Sequence, residues 1–197
     1  MDKHVLGLEL PTDPRWVNIA AMNIREILID HAWCEQKAAS SCVSLIIQYP
    51  DHDKLVEMLT PIVTEEWNHF ERVVNELRKR GFSLGPSRKD EYVERVLKIL
   101  KTGGSREEQL VEKLLMSALI EARSCERFRL LWKEISDKEL SQLYYELMVS
   151  EAGHYKNFLS LAKEYMDADK VMERWKEILR NEAEIVKTLG VRGDRMH

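Results

Sequence analysis

The chain has 197 residues, a length that predicts one domain with a single core of ordinary size. Apolar residues make up 44% of it and charged residues 32%, with a net charge of −4, which is typical of a soluble globular protein and excludes a polycation. Glycine and proline are scarce and strong helix formers dominate, so composition predicts an all-α fold. No apolar run reaches the length of a membrane span, and the opening stretch MDKHVLGLELPTDPRW has no secretory pattern, so we expect neither feature.

The first part of the chain is predicted to form two long helices joined by a tight turn. Asp13 and Pro14 are a helix-start signal, and the first helix is expected over about residues 13–49. The second is expected over about residues 51–80, before a glycine that favours a helix end. Pro61 lies inside the second helix, where we expect it to kink the helix or break it locally.

A long connection over residues 81–104 follows, with a short helix of its own at about residues 90–101. Ser105 and Glu108 have the spacing of a capping box and open the next long helix. This helix is expected to run to about residue 135, and two more are expected at about residues 137–165 and 169–189. Ser136 and Asp137 are predicted to cap the first of these two. The tail VRGDRMH is expected to be loose.

This order of elements predicts the architecture. Two tightly joined helices, a long connection and two more tightly joined helices have the connectivity of a ferritin-like four-helix bundle with one crossover. The last predicted helix would be an additional C-terminal helix. We therefore expect a single ferritin-like domain over residues 1–197, carrying a di-iron site if the residues described next are metal ligands.

Acidic and histidine side chains interrupt the apolar stripes of the four long helices. Two helices carry a Glu-x-x-His pair on the stripe, in EEWNHFERV (residues 65–73) and in SEAGHYKNF (residues 150–158). The other two helices carry one glutamate each on a stripe with the spacing of a buried face. The six candidate ligands are Glu35, Glu66, His69, Glu121, Glu151 and His154.

The depth of these residues in each predicted hairpin is a stronger indication than their number. Glu35 and Glu66 each lie about 15 residues from the first turn, which is roughly 22 Å along a helix at about 1.5 Å per residue. Glu121 and Glu151 lie at the same depth from the second turn. Glu126 would lie about 7 Å off that level and off the stripe, so it is the lesser candidate.

Four buried carboxylates need compensation, because each buried charge left unpaired costs several kcal/mol. Two divalent cations would neutralise them, and two glutamates plus two Glu-x-x-His pairs form the ligand set of di-iron and di-manganese bundles. Oxygen and imidazole ligands suit iron or manganese. Taken singly, each glutamate could be a solvated surface residue and each histidine an ordinary core residue.

Several other residues near the six candidates have more than one interpretation. His31, one turn before Glu35, could orient a ligand, although a plain core or surface histidine is the simpler interpretation. Tyr144 is expected to be a packing residue. The three cysteines, Cys34, Cys42 and Cys125, predict no disulfide framework and fit a reducing, cytoplasmic location. We interpret Cys34 and Cys125 as small buried residues, because neither has a base beside it in sequence.

One stretch is strongly basic. RKRGFSLGPSRK (residues 78–89) contains five basic residues and no acid, and Lys98, Lys101 and Arg106 follow. A solvated loop is the simpler interpretation of such a stretch. A basic collar that holds phosphate groups is the alternative.

The chain resembles the bacterial tRNA hydroxylase family that acts on 2-methylthio-isopentenyl-adenosine next to the anticodon. The resemblance covers nearly the whole chain and is carried by REILIDHAWCEQKAAS (25–40), EEWNHFERV (65–73), LIEARSCERF (119–128), SEAGHYKNFLSLA (150–162) and RWKEILRNEAEIV (174–186). It implies a non-haem di-iron monooxygenase whose two iron ions are held by the six candidate residues. It also implies dioxygen as co-substrate, hydroxylation of the isopentenyl group and the tRNA anticodon loop as partner. The chain has no flavin or iron–sulfur motif, so the electrons would come from an external donor of the ferredoxin or reductase type.

Two alternatives stay open at this point. A ferritin- or bacterioferritin-like ferroxidase or iron-storage protein would use a similar ligand set. A metal-free helical interaction module would use none of it.

Overall fold

The computed structural model describes residues 5–196, which are helical apart from connections and contain no β-strand. Seven α-helices lie in this part of the chain: α1 Arg15–Met22, α2 Ile24–Gln48, α3 Asp53–Lys79, α4 Glu91–Val96, α5 Arg106–Glu134, α6 Lys138–Tyr165 and α7 Ala168–Thr188. Short 3₁₀ helices lie at Val5–Gly7 and Leu97–Ile99. None of the helices among the described residues combines the length and the apolar character needed to cross a membrane.

The described residues divide into two compact units. The α2–α3 unit comprises residues 18–88 and 192–196, and the α5–α6 unit comprises residues 5–17 and 89–191. In each unit two long helices joined by a short turn pack along one another. The two predicted helical hairpins are thus present, while the single domain over residues 1–197 stays a prediction.

The first predicted helix is in fact two helices, because the helix breaks at Asn23. Its backbone leaves the helical region, at φ −121° and ψ 38°. Its side-chain Nδ2 donates a hydrogen bond to the Ile19 carbonyl oxygen at 2.8 Å. An asparagine side chain can thus occupy a backbone carbonyl that would otherwise accept a helical hydrogen bond, which favours a break at this point. The prediction of one helix over residues 13–49 is therefore wrong at residue 23.

Helix α3 runs without interruption through Pro61, so the expected local break does not occur. Proline removes one helical hydrogen bond, which leaves the carbonyl of Glu57 without its usual donor. Both Pro61 and Glu57 are exposed, so water can solvate that carbonyl. The cost of the proline is therefore small enough for packing of the buried α3 face to maintain the helix.

The expectation of a loose tail is wrong for residues 192–196, which pack on the α2–α3 unit. The Met196 backbone N–H donates to Asp30 Oδ2 at 2.8 Å, and the Met196 side chain is fully buried. The Arg195 guanidinium lies 3.4 Å from Asp30 Oδ1. A Cβ at Gly193 would lie only 2.2 Å from the Ile19 side chain, so the close approach of the tail requires glycine there. His197 lies outside the described residues.

The α5–α6 unit begins its long helices at the predicted caps. The Ser105 hydroxyl accepts from the Glu108 N–H at 3.1 Å, and the Ser105 N–H donates to Glu108 Oε2 at 2.7 Å, which completes the capping box. Asp137 caps α6 by accepting from two backbone N–H groups. The short helix predicted at 90–101 is α4 followed by a 3₁₀ turn. These caps define where the site-bearing helices begin.

Candidate metal centre

Glu35, Glu66 and His69 form a buried cluster in the α2–α3 unit, here called the α2–α3 half-set. Each of the three offers a ligand atom, and these atoms lie within 4.8 Å of one another. His69 Nδ1 lies 3.6 Å from Glu35 Oε2 and 3.8 Å from Glu66 Oε2. The common depth that the sequence predicts for Glu35 and Glu66 is therefore confirmed in this hairpin.

The local sequence explains why these side chains lie in the interior of the unit. Glu66 and His69 are three residues apart on α3, so both project from one helix face. The same face carries Ile62, Val73 and Leu77, which are all buried. Burial of this apolar stripe carries the two polar side chains into the interior along with it.

Glu121, Glu151 and His154 form the corresponding cluster in the α5–α6 unit, here called the α5–α6 half-set. All three are buried, and their ligand atoms also lie within 4.8 Å of one another. His154 Nδ1 lies 3.2 Å from Glu151 Oε2 on the same face of α6. The predicted common depth of Glu121 and Glu151 is thus confirmed in the second hairpin.

Glu126, the lesser candidate, has other partners. Its Oε1 accepts from the Thr12 backbone N–H at 2.9 Å, and its Oε2 accepts from the Thr12 hydroxyl at 2.6 Å. It also pairs with the buried guanidinium of Arg123, which in turn donates to Glu182. These contacts agree with the preference for Glu121.

Sequence reasoning did not find this network of Thr12, Arg123, Glu126 and Glu182, which joins the N-terminal segment to α5 and α7. The available signal was a single arginine in a stretch of α5 that also contains Leu119, Ile120 and Ala122. A sequence does not say which distant residue meets such a side chain.

His31 is fully buried and contacts a residue of the α2–α3 half-set. Its Nε2 lies 2.6 Å from Glu35 Oε1. The interpretation of His31 as a surface residue is therefore excluded. Its contact with Glu35 is that of a residue that can orient a ligand.

Cys125 and Tyr144 have the surroundings of packing residues. Burial, with a further contribution from nearby Glu151, raises the pKa of the Cys125 thiol to about 12, so this thiol is neutral at physiological pH. Cys125 donates a weak hydrogen bond to the Met148 carbonyl at 3.5 Å. Cys34 was expected to be buried but is partly exposed. Tyr144 is buried against Phe128, which agrees with a packing role.

The basic stretch at residues 78–89 contains no acidic residue, but several of its basic side chains form ion pairs with acidic residues outside the stretch. Glu76 pairs with both Lys79 and Arg80. Arg88 Nη1 lies 2.8 Å from Glu26 Oε2. These pairs reduce the positive charge of the stretch. Lys89 is strongly exposed, and its Nζ lies 3.8 Å from Glu94 Oε1.

The two half-sets fit metal ions by their donor chemistry. Each provides two carboxylates and one imidazole, all buried, and such donors suit iron or manganese. A nearby thiol that is neutral does not compete as a thiolate ligand. The chain therefore contains buried Glu/His clusters that are compatible with metal binding.

The fold is similar to that of a solved structure titled "Protein 43 with aldehyde deformylating oxygenase activity from Synechococcus". The two share 33% sequence identity and a TM-score of 0.90, and the match covers 96% of this chain and 94% of that one. The predicted fold class, all-α and ferritin-like with one long crossover and an additional C-terminal helix, is confirmed by this likeness.

Two relatives bear the name tRNA 2-(methylsulfanyl)-N(6)-isopentenyladenosine(37) hydroxylase. The one from Pseudomonas putida is 38% identical over 160 residues, which is 81% of this chain and 77% of the relative. The one from Salmonella typhimurium is 26% identical over 211 residues, covering 82% of this chain and 77% of the relative. Residues 2–197 match the family described as tRNA-(MS[2]IO[6]A)-hydroxylase (MiaE). The resemblance read from the sequence is confirmed, and the chain belongs to this tRNA hydroxylase family.

Proposed function

We propose that this chain hydroxylates the isopentenyl group of 2-methylthio-N6-isopentenyladenosine next to the anticodon of tRNA. The observation that carries the proposal is the 38% identity, over most of the chain, to a relative named for this hydroxylation. The buried Glu/His clusters on both long hairpins support it, because a hydroxylase of this kind needs a protected metal centre.

The proposed centre holds two iron ions. Four carboxylates balance the charge of two divalent cations, and the imidazoles complete the ligand set. The ligands would be Glu35, Glu66, His69, Glu121, Glu151 and His154. Bound iron supplies the capacity to activate dioxygen, while the buried apolar surroundings of the side chains keep bulk water away.

The overall reaction needs a second substrate and a source of electrons. One oxygen atom of dioxygen enters a C–H bond of the isopentenyl group, and the other leaves as water after uptake of two electrons and two protons. The sequence has no flavin-binding motif and no cysteine set for an iron–sulfur cluster. The electrons therefore come from an external donor of the ferredoxin or reductase type.

The substrate base lies in a single-stranded loop, where it can be unstacked and presented to an interior site. Exposed basic side chains, among them Lys79 and Lys89, would contact the RNA backbone. A protein that modifies tRNA in this way acts in the cytoplasm, which agrees with three cysteines that form no disulfide among the described residues.

The test uses purified, iron-loaded protein, a reducing system, labelled dioxygen and tRNA from a strain that lacks the gene. We expect the isopentenyl nucleoside to gain one labelled oxygen atom, as measured by mass spectrometry of the digested tRNA. Glu66→Gln should abolish the reaction, whereas Glu65→Gln, its exposed neighbour on α3, should not. Unchanged nucleosides with the iron-loaded protein would refute the proposal.

The iron-storage alternative is not favoured, because the family and both relatives are named for tRNA hydroxylation. The two functions differ in assembly and in iron capacity. A storage protein forms a large shell that holds many iron ions per chain, whereas the hydroxylase should bind about two. Size-exclusion chromatography with metal analysis separates them.

A further inference from the structure

We propose that His31 is a positioning residue that holds one oxygen of Glu35 and leaves the other oxygen for the metal. The inference rests on the proposed function in one respect, namely that Glu35 is a metal ligand. It adds a residue outside the six-residue ligand set and assigns different roles to the two oxygens of Glu35.

The contact between the two side chains is short and isolated from water. His31 lies one turn before Glu35 on α2, so the two side chains project from the same face of the helix. The distance from His31 Nε2 to Glu35 Oε1 is 2.6 Å, and the His31 side chain has no exposed surface. The carboxylate of a metal-ligating glutamate can only accept, so Nε2 carries the proton and donates a hydrogen bond to Oε1.

The second oxygen of Glu35 points to a different neighbour. Oε2 lies 3.6 Å from His69 Nδ1, on the side where the donor atoms of the α2–α3 half-set gather. One oxygen is therefore engaged by His31, and the other faces the donors that would surround a metal. This arrangement favours binding of Glu35 through Oε2 alone.

The packing of α2 makes the arrangement rigid. Ile27, Leu28 and Ala32 flank His31 on α2 and are completely buried, so the imidazole cannot swing away without opening the core. A charge-assisted hydrogen bond in such surroundings is stronger than one in water. Loss of this kind of support typically weakens metal affinity by about 10- to 100-fold.

A purely structural role predicts a different outcome. If His31 only fills space, its replacement lowers the stability of the metal-free protein but changes neither the affinity for metal nor the coordination of the bound ion. If it positions Glu35, the affinity and the coordination both change. Metal titration followed by visible absorption therefore discriminates between the two roles.

The experiment titrates metal-free wild type, His31→Leu, His31→Gln and His31→Asn with Co²⁺ as the probe. In His31→Leu we expect one of two bound ions to be held about 10- to 100-fold more weakly, with an altered cobalt spectrum. His31→Gln should recover most of the loss, because its amide nitrogen can occupy the place of Nε2. The asparagine side chain in His31→Asn is too short to reach Oε1, so this variant should not recover the lost affinity. The Gln and Asn pair gives the same test if the leucine variant does not fold.

His52→Leu is the matched control, since His52 lies at the turn of the same unit beside Asp51 and outside the half-set. It should leave the cobalt titration unchanged. Wild-type affinity and an unaltered spectrum in both His31→Leu and His31→Asn would overturn the inference, and so would a wild type that binds no Co²⁺. Normal cobalt binding without tRNA hydroxylation would refute the proposed function alone and leave the inference standing.

Discussion

Glu121 and Glu126 lie five residues apart on α5, yet their surroundings are different. Glu121 belongs to the α5–α6 half-set, whereas Glu126 is bound to Thr12 and Arg123. The sequence separated them correctly by helical level and stripe. It did not identify Thr12 as a partner of Glu126, because Thr12 is 114 residues away along the chain.

The first prediction compares these two glutamates. Glu121→Ala should reduce the metal content of the purified protein, because a proposed ligand is lost. Glu126→Gln should retain the metal but lower the free energy of unfolding by about 1–3 kcal/mol, because buried donors lose a charged acceptor. Elemental analysis and urea unfolding measure the two effects. Metal loss in Glu126→Gln with full metal in Glu121→Ala would reverse the assignment.

The second prediction concerns Cys125. Its pKa of about 12 is above the ordinary value of 9.0, so the folded protein keeps the protonated, unreactive thiol at pH 8, and unfolding restores the ordinary titration. Iodoacetamide at pH 8 should label the partly exposed Cys34 well before Cys125. In denaturant both should react at similar rates. Peptide mass spectrometry measures the labelling, and rapid native labelling of Cys125 would contradict the prediction.

At the scale of single helices, the starts of α5 and α6 were predictable, because a side chain caps each of them. Asp137 and the Ser105–Glu108 capping box lie where the sequence predicted them. The break at Asn23 was missed, because apolar periodicity continues across it. The disruption of α3 by Pro61 was overestimated, because no local break occurs there. The effect of a proline depends on whether the carbonyl that it leaves without a donor lies on the exposed face of the helix.

The third prediction tests the capping box of α5. Ser105→Ala removes the acceptor for the Glu108 N–H and should lower the free energy of unfolding by about 1 kcal/mol. Ser105→Asp keeps an acceptor at the cap and should restore most of the loss. Urea unfolding followed by circular dichroism measures both variants. A Ser105→Ala variant as stable as wild type would show that water replaces the cap without cost.

At the scale of the whole molecule, the chain returns at its end to a helix near its beginning. Residues 192–196 pack on the α2–α3 unit through Asp30, which directly precedes His31. Arg88 adds to this contact by donating to both Glu26 and the Asp194 carbonyl oxygen. The tail thus supports the part of α2 that carries His31 and Glu35.

The fourth prediction follows from the burial of the tail. Met196→Ala should lower the free energy of unfolding by about 2–3 kcal/mol, because a buried side chain is replaced by a cavity. Val191→Ala, at a partly exposed position just before the tail segment, should change it by less than about 0.5 kcal/mol. Chemical unfolding of both variants provides the comparison. Equal stability of Met196→Ala and wild type would mean that the tail does not contribute to the core.

The sequence by itself determined the helical class, the two hairpins, the helix caps and the six candidate ligands with their depth in each hairpin. These features depend on helical periodicity and on side chains a few residues apart, and such distances are set by the regular geometry of the helix. Only the tertiary structure decided that Glu126 binds Thr12 and Arg123, that His31 holds Glu35 Oε1, and that the tail is buried. The Glu126–Thr12 contact and the tail contacts join residues more than a hundred positions apart, and the His31 contact depends on which of several allowed rotamers the packed core selects.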